Sequence, residues 1–322
     1  MSQSAAQSSL DPRLLKEIRE IMGGEGIVSR VSELKVYECD GWTMEKNTPE
    51  ILVMPRTTAQ VSAILRALDR RGVAFVPRGA GTGLSGGSLP LNAPVMICTS
   101  KMNRIVSIDL ANRRAEVESG VVNIHVTNAV KPAGLFYAPD PSSQVACTIG
   151  GNIAENSGGP HTLKYGVTTN HVLGLELVLP DGEVVELGGP VEERCGYDLV
   201  GAVVGAEGTV GIVTRATLKL TRTPQSHRTI LATFADVTSA TRAVSAIIAA
   251  GIVPGAIEMM DRLIIRAVEE AFHVGLPQDA GAVLIIELDG LEAGLSARAA
   301  QVVELVRGCG AVEAKLARDE AE

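Results

Sequence analysis

Aromatic residues are scarce in this sequence, with 4 Phe, 4 Tyr and 1 Trp among 322 residues. Hydrophobic residues nonetheless make up 46% of the chain, which is enough for sizeable cores. Those cores are therefore predicted to be aliphatic and rich in alanine. A chain of this length exceeds the usual size of a single core, so two domains are expected.

Cysteine is also sparse, and the five cysteines are scattered without any C-x-x-C pair. This spacing excludes a self-contained iron–sulfur cluster or an ordinary zinc site, and we predict no metal site. An odd number of scattered cysteines is more typical of a reducing compartment than of a disulfide framework.

The chain lacks a basic stripe, an apolar run of transmembrane length and an apolar leader. Its net charge of −8 argues against a nucleic-acid partner. Residues 1–6 are small or polar except for the initial Met, so they contain no signal-peptide core. These absences and the cysteine pattern predict a cytoplasmic protein without a transmembrane segment.

Glycine, in contrast, is concentrated in residues 77–88 (PRGAGTGLSGGS), in which five residues are glycine. This glycine loop follows an apolar run, Val73 to Val76, that is typical of a buried strand. Glycine allows positive φ and lets a ligand touch the main chain. Successive N–H groups in such a turn form an anion-binding concavity, and Arg78 adds a positive charge. The predicted guest is a phosphate or pyrophosphate.

Two standard phosphate motifs do not explain this loop. Residues 81–86 match G-x-G-x-x-G, but that fingerprint requires a helix that begins within the loop. Pro90 and Pro94 follow closely, and residues 95–98 are typical of another strand, so no helix fits. A P-loop is excluded because no Lys-Ser or Lys-Thr pair closes the stretch. A strand–loop–strand pyrophosphate cradle remains, with a flexible surface loop as the alternative.

A second unusual stretch covers residues 137–166 (YAPDPSSQVACTIGGNIAENSGGPHTLKYG). We interpret it as a long loop, which is uncommon inside a compact domain and usually functional. Its glycine pairs and neutral hydrogen-bonding side chains suit ribose, phosphate or a heterocycle edge better than a metal. A disordered linker is the alternative. A third glycine pair, Gly208 and Gly211, precedes a β-rich run that ends near Leu220.

The hydrophobic pattern predicts both helices and strands throughout. It predicts a helix over residues 11–22, a β-α-β unit over 50–76 and a hairpin that turns at Asp181-Gly182. From Arg228 onward, strands and amphipathic helices alternate as repeated β-α-β units. The change of character near residues 223–226 predicts a domain boundary there.

Taken together, these stretches resemble those of FAD-linked oxidases with the vanillyl-alcohol oxidase/p-cresol methylhydroxylase (PCMH) fold. The resemblance is strongest to the FAD-binding subunit of bacterial glycolate oxidase and to D-lactate dehydrogenases. It covers roughly residues 30–322. The motifs that carry it are residues 37–41 (YECDG), 78–87, 137–143, 150–156, 163–166, 205–211 and 254–261 (PGAIEMMD).

The resemblance implies an α+β fold, with a two-part PCMH-type FAD-binding domain followed by an incomplete α+β (ferredoxin-like) cap domain. The corresponding boundaries are an N-terminal helical segment over 1–48, the FAD-binding domain over 49–224 and a partial FAD-linked oxidase C-terminal domain over 225–322.

The resemblance also implies FAD as the cofactor, with residues 79–87 around its pyrophosphate. Some relatives tether the flavin through a histidine in the first loop, but no histidine lies between residues 77 and 90, so noncovalent FAD is predicted. The predicted cofactor-binding residues are Arg78, Gly79, Ala80, Gly81, Thr82, Gly83, Leu84, Ser85, Gly86, Gly87, Pro139, Asp140, Pro141, Ser142, Ser143, Thr148, Gly150, Gly151, Asn152, Ala154, Asn156, Gly158, Gly159, Tyr165, Gly166, Glu207, Gly208, Val210, Gly211, Ile212 and Val213.

Catalytic residues are not assigned by this sequence. His161 is a weak candidate because it lies in the second loop, where a structural histidine is the alternative; Lys164 is a further candidate for flavin contact. Family members continue past residue 322 with histidine-rich motifs and a basic residue for the substrate carboxylate, none of which occurs here. The catalytic groups are therefore expected outside this stretch.

The implied function is FAD-dependent oxidation of a small 2-hydroxy acid, glycolate or D-lactate, to the 2-oxo acid. Electrons would pass to an iron–sulfur partner subunit or a soluble acceptor, and such partners could hold the protein at the inner face of the membrane. The alternatives are a truncated, non-catalytic FAD-binding subunit or fragment, and a UDP-N-acetylenolpyruvylglucosamine reductase. Residues 254–260 argue against the reductase.

Overall fold

A computed structural model describes residues 10–191 and 196–317. Within these ranges the chain forms two compact units. The first contains the residues up to Ser157 and from Val167 to Thr221; the second contains Gly158–Gly166 and the residues from Arg222 onward. Residues 158–166, predicted as part of the FAD-binding domain, thus group with the second unit.

The strands and helices follow the predicted order closely. The strands are β1 (Ile27–Val28), β2 (Ile51–Val53), β3 (Phe75–Arg78), β4 (Val95–Cys98), β5 (Ile105–Asp109), β6 (Arg114–Glu118), β7 (Leu135–Phe136), β8 (Val172–Val178), β9 (Val184–Gly188), β10 (Ile212–Lys219), β11 (Thr221–Arg222), β12 (Ser226–Phe234), β13 (Ala256–Asp261), β14 (Ala282–Gly290) and β15 (Ala311–Leu316). The helices are α1 (Pro12–Met22), α2 (Val31–Leu34), α3 (Thr58–Asp69), α4 (Asn123–Val130), α5 (Ile149–Glu155), α6 (Thr162–Tyr165), α7 (Leu199–Val203), α8 (Val237–Ala249), α9 (Arg262–Phe272) and α10 (Glu292–Gly308).

The first sheet of the first unit contains the predicted β-α-β unit. Its strand order is β1-β2-β4-β3, with β2 and β3 both parallel to β4. Helix α3 connects β2 to β3; Thr57 caps its start, and Gly72, at φ +60°, follows its end. Because β4 lies between them, β2 and β3 are not direct neighbours. The glycine loop therefore leaves the edge strand β3, which is half-buried rather than buried as predicted, and enters the buried strand β4.

The second sheet of the first unit is antiparallel, with the order β5-β6-β10-β8-β9. The predicted hairpin is confirmed as the β8–β9 pair, and Gly182 takes a φ of +84° in its turn. Successive residues of β10 alternate between buried and half-buried, which is the pattern of a strand with one face on a core. The two sheets agree with a two-part FAD-binding domain.

The cores are aliphatic, as the composition predicts. One cluster packs α1 and α3 against the first sheet, and another packs α4, α5 and α7 against the second. Among the buried hydrophobic residues of the described ranges, the only aromatic side chains are Tyr137 and Phe234.

The second unit has the antiparallel strand order β15-β12-β14-β13. Numbered along this unit, the order is 4-1-3-2, which is that of a ferredoxin-like sheet. Helix α8 connects β12 to β13, and helix α10 connects β14 to β15. The two strands of each pair run parallel to each other with one strand between them, so the predicted β-α-β repeats are present. Helix α9 is an addition between β13 and β14.

The interpretation of residues 137–166 as a continuous loop is wrong. The stretch contains α5 and the short α6. Thr148 caps α5 by accepting a hydrogen bond from the N–H of Gly151, and Asn156 ends it in the left-handed conformation at φ +49°. Adjacent glycines normally disfavour a helix, but Gly150 is required because a Cβ there would lie 2.8 Å from the Cβ of Ser119.

Candidate cofactor site

The glycine loop leaves the end of β3 and enters β4 without any helix between residues 79 and 94, as predicted. Gly81 and Gly86 take positive φ values of +72° and +78°. None of the N–H groups from Ala80 to Ser88 donates a hydrogen bond to another described residue. These main-chain donors are therefore available to an anion.

The guanidinium of Arg78 lies against Gly81 of this loop, and Arg78 as a whole is only 8% exposed. Its Nη1 donates to the carbonyl of Cys39 at 2.9 Å and to Ser88 Oγ at 3.4 Å, and its Cζ lies 5.6 Å from the centre of the Tyr37 ring. Arg78 forms no ion pair with a carboxylate of the described ranges. A cation that is buried without a counter-ion is costly, so a bound anion would compensate it.

Three other stretches meet the glycine loop. A Cβ at Gly79 would overlap Thr148 Oγ1, and a Cβ at Gly41 would lie 2.8 Å from the carbonyl oxygen of Gly83. At the start of the loop, a Cβ at Gly208 would lie 2.6 Å from Pro77 Cγ. At these positions glycine leaves the space that the neighbouring segment occupies, through main-chain atoms at Gly41 and through side-chain atoms at Gly79 and Gly208.

Helix α5 joins the third glycine stretch to the first. The N–H of Gly205 donates to the carbonyl of Ile153 at 2.8 Å, and the N–H of Glu207 donates to the carbonyl of Ala154 at 2.9 Å. At the end of the same helix, Ser85 Oγ donates to Glu155 Oε2 at 3.3 Å. The C-terminal end of α5 therefore holds both glycine stretches in place.

Carboxylates surround the outer part of the glycine loop. A Cβ at Gly87 would lie 3.2 Å from Glu155 Oε1 and 3.9 Å from Glu207 Oε2. Desolvation, followed by the charge of Glu207, raises the pKa of Glu155 above its ordinary value; Asp40 acts in the same direction. This side of the cradle therefore disfavours added negative charge when Glu155 is ionised.

The structure brings many of the predicted cofactor residues of the first unit together. Residues 78–87, Thr148, Gly151, Ala154, Glu207 and Gly208 lie around the concavity just described. Asn152 is 2% exposed within α5, Ile212 is 3% exposed in the core, and the Asn156 side chain accepts a hydrogen bond from the N–H of Thr169. Gly158, Gly159, Tyr165 and Gly166 belong to the second unit, together with His161.

The predicted residues 139–143 form a turn of the first unit in which Pro139 and Pro141 are buried and Ser142 is exposed. Asn123, which is 1% exposed, donates from Nδ2 to the carbonyl of Pro139 at 3.0 Å. The N–H of Gln144 donates to the carbonyl of Pro141 at 2.7 Å, and the N–H of Ala146 donates to that of Ser143 at 2.8 Å. These bonds form a rigid turn before α5.

Sequence reasoning missed several residues of the site. Tyr37, Cys39 and Gly41 were noted only as a motif, although they contact Arg78 and the glycine loop. Glu155 lies between Ala154 and Asn156, which were predicted as cofactor contacts, but was not itself predicted. Its carboxylate, in a stretch of neutral residues, is the signal that could have identified it.

The concavity fits a pyrophosphate group. One segment carries N–H donors without an acceptor in the protein and a buried guanidinium, and these are groups that bind phosphate oxygens. Its glycines allow the ligand to reach the main chain. The described residues contain no helix that is long and apolar enough to cross a membrane. Cys39, Cys98, Cys147 and Cys309 are free thiols in the described part of the chain.

Comparison with known protein families identifies the two parts of the chain. Residues 49–188 match the FAD binding domain family, and residues 223–322 match the C-terminal domain of FAD linked oxidases. FAD is therefore the cofactor of the domain that contains the glycine loop.

Curated relatives match most of this chain. The glycolate oxidase subunit GlcD of Escherichia coli K12 is 45% identical over 309 residues, which is 96% of this chain and 62% of the relative. GlcD of Bacillus subtilis is 41% identical, with 85% of this chain and 59% of the relative aligned. D-lactate dehydrogenase of Anaerostipes hadrus is 33% identical, with 84% and 59% aligned. The chain thus spans about three fifths of the length of these relatives.

A solved structure supports the same fold. Alkyldihydroxyacetonephosphate synthase superposes with a TM-score of 0.84 at 19% identity, covering 98% of this chain and 63% of that protein. The motif resemblance, the α+β fold with its PCMH-type domain, and the FAD cofactor are confirmed by these matches. The chain belongs to the family of FAD-linked oxidases.

Proposed function

We propose that this chain is the FAD-binding part of an oxidoreductase that oxidises a small 2-hydroxy acid, glycolate or D-lactate, to the 2-oxo acid. The observation that carries this proposal is the pyrophosphate cradle at residues 78–88, in a chain 41–45% identical to two GlcD subunits of glycolate oxidase. The specific substrate is proposed from the names of these relatives.

The residues of the first unit would hold the cofactor by two kinds of contact. The N–H groups of residues 80–88 would bind the pyrophosphate oxygens, while Arg78 would neutralise their charge from the buried side. When bound, FAD supplies the electron acceptor for the two electrons that leave the substrate carbon. Residues 139–143, Thr148 and Gly150–Gly151 are proposed to line the ribityl chain and the ring.

The proton from the substrate hydroxyl needs a base that lies within hydrogen-bond reach of it. His161 remains a weak candidate, with its Nε2 located 3.4 Å from Glu287 Oε1. A carboxylate partner of this kind orients an imidazole and stabilises its protonated form. The remaining catalytic groups are proposed to lie in the portion of the relatives that this chain does not span.

The electrons are proposed to leave through a partner subunit of iron–sulfur type or a soluble acceptor. The word "subunit" in the names of the GlcD relatives supports a complex. The scattered free cysteines support a cytoplasmic location, where thiols stay reduced. Association with the inner face of the membrane would then depend on partners.

Denaturation is expected to release all of the flavin from the protein. No histidine lies between residues 77 and 90, so the first loop offers no such tether for the ring. The measurement is the visible spectrum of the protein pellet and of the supernatant after acid precipitation. Yellow colour retained in the pellet would contradict noncovalent binding.

Replacement of Glu155 by glutamine is expected to tighten FAD binding at pH 8 by roughly 2- to 5-fold, the range for a partly exposed charge near the pyrophosphate. The pKa of Glu155 is raised, so its proton is held more tightly in the folded state. Protonation of Glu155 therefore stabilises the folded state. This contribution is complete below the ordinary pKa of a glutamate and is lost as the pH rises through the raised pKa. The advantage of Glu155→Gln should accordingly vanish at low pH.

Fluorescence titration of deflavinated protein with FAD, repeated between pH 4.5 and 8, measures this effect. Glu186→Gln, at an exposed position of β9 in the same unit, serves as the control and should leave the affinity unchanged. An equal gain at every pH would mean that the charge of Glu155 is not involved.

The decisive test of the proposed function is anaerobic mixing of the purified, FAD-loaded chain with glycolate or D-lactate. Loss of the flavin absorbance band would show that this chain performs the reductive half-reaction. Retention of the band with either acid, while FAD stays bound, would instead support the alternative of a non-catalytic FAD-binding piece.

A further inference from the structure

Residues 158–166, which we call the 158–166 segment, are fastened to strand β14. The hydroxyl of Tyr165 donates to Asp289 Oδ2, and Lys164 Nζ donates to Asp289 Oδ1. Lys164 Nζ also donates to the main-chain carbonyl of Asp289 at 2.7 Å. The Asp289 side chain is only 4% exposed, and both of its oxygens are used. One buried carboxylate therefore holds two adjacent residues of the segment.

A second carboxylate of β14 holds the same segment. Glu287 lies two residues before Asp289, and side chains two apart in a strand project from the same face of the sheet. Its Oε1 is 3.4 Å from Nε2 of His161. The hydrogen bond with His161, together with the charges of His161 and His227, lowers the pKa of Glu287. The segment is thus attached at His161 as well as at Lys164 and Tyr165.

Gly255 provides the space that Asp289 occupies. A Cβ on Gly255 would lie 2.8 Å from Asp289 Oδ1 and 3.0 Å from its Cγ. The N–H of Gly255 also donates to the carbonyl of Glu287 at 2.7 Å, which ties this glycine to β14. Any side chain here would displace the carboxylate. This explains a glycine in the motif of residues 254–261, to which the cofactor cradle assigns no role.

We propose that Asp289 is a positioning residue that fixes the 158–166 segment to the second unit, and that Gly255 is required for it. Lys164 Nζ is engaged by Asp289, so Lys164 acts through this contact. The consequence for catalysis rests on the proposed function, since the segment carries the candidate base His161. The attachment itself depends only on contacts within the second unit.

Removal of the Asp289 charge should release the segment. A buried charge pair that loses one partner leaves the other uncompensated, and here the amide of asparagine keeps only one acceptor oxygen for the two donors, Lys164 and Tyr165. Asp289→Asn should therefore release the 158–166 segment by removing the charge, and Gly255→Ala should release it by displacing the carboxylate. Gly308→Ala is the matched control, because it lies in the same unit and a Cβ there meets nothing within 4 Å.

Hydrogen–deuterium exchange on the full chain, with and without FAD, tests the attachment. In Asp289→Asn and Gly255→Ala, the amides of residues 158–166 should exchange at least about 10-fold faster, as in local opening of a protected segment. The amides of β12 should keep their parental rates, and Gly308→Ala should match the parent throughout. Unchanged exchange in the segment, or a uniform increase across the second unit, would overturn the proposal. Should Asp289→Asn fail to fold, Gly255→Ala and Tyr165→Phe provide the same test.

Anaerobic reduction separates positioning from a general loss of structure. In the FAD-loaded protein, Asp289→Asn should lower the limiting rate of reduction by glycolate or D-lactate about 10-fold and leave the substrate dissociation constant within about twofold. An unchanged limiting rate would overturn the positioning role. If the parent chain is not reduced at all, the proposed function fails, whereas the exchange experiment still decides whether Asp289 holds the segment.

Discussion

Replacement of Gly81 by alanine is expected to lower the affinity for FAD at least about 50-fold. Gly81 has a φ of +72°, a conformation that costs a residue with a Cβ roughly 1–2 kcal/mol. The added Cβ would also overlap the guanidinium of Arg78, and displacing a charged hydrogen-bonded group costs about 1.5–3 kcal/mol more. Since about 1.4 kcal/mol corresponds to a factor of ten, these costs together give the predicted loss.

Titration of the deflavinated protein with FAD, followed by flavin fluorescence, measures this loss. Gly189→Ala is the control, because Gly189 lies in the same unit and a Cβ there meets nothing within 4 Å. Gly83→Ala is a second test: its Cβ would meet only Glu155 Oε1 at 3.9 Å, so folding should be undisturbed while the approach of the ligand to the main chain is blocked. FAD affinity within threefold of the parent in Gly81→Ala would contradict the assignment of the cradle.

Replacement of Arg78 by methionine is expected to separate cofactor binding from folding. Arg78 is 8% exposed, and its guanidinium has no carboxylate partner among the described residues. Its buried charge therefore destabilises the flavin-free protein. Methionine removes the buried charge, which stabilises the protein, but it leaves the carbonyl of Cys39 without its hydrogen-bond donor, which destabilises it. The free energy of unfolding of the flavin-free protein should therefore change by less than about 1 kcal/mol.

The affinity for FAD should respond very differently to the same substitution. Loss of a buried cation beside the pyrophosphate should weaken FAD binding about 10- to 100-fold, as expected for a charge-assisted contact of about 1.5–3 kcal/mol. Arg78→Lys keeps the charge but not the planar fork that contacts Cys39 and Ser88, so its affinity should lie between those of Arg78→Met and the parent. Urea unfolding of the flavin-free protein and FAD titration measure the two quantities. A destabilised Arg78→Met with parental FAD affinity would assign Arg78 a structural role only.

Local sequence signals were sufficient to predict most of the helices and strands. The period of apolar residues located α1, α3 and α8, and the Asp181-Gly182 pair located the β8–β9 turn, because these elements depend on contacts between near neighbours in sequence. The helix α5 was missed for the same reason. Its glycines oppose helix formation locally, and only packing of Gly150 against Ser119 explains them.

The sequence by itself determined the ligand class of this protein. Five glycines after an apolar run, with Arg78 directly before them and prolines that exclude a helix, specify an anion cradle through local backbone geometry, and the order of the motifs identified the family. Only the tertiary structure decided which distant groups complete the site and what the remaining residues do. The contacts of Arg78 with Tyr37 and Cys39, the carboxylates of Glu155 and Glu207 beside the loop, and the attachment of the 158–166 segment to Asp289 all join positions far apart in the chain. Such contacts arise from the packing of whole elements against each other, so no pattern within a short window of sequence encodes them.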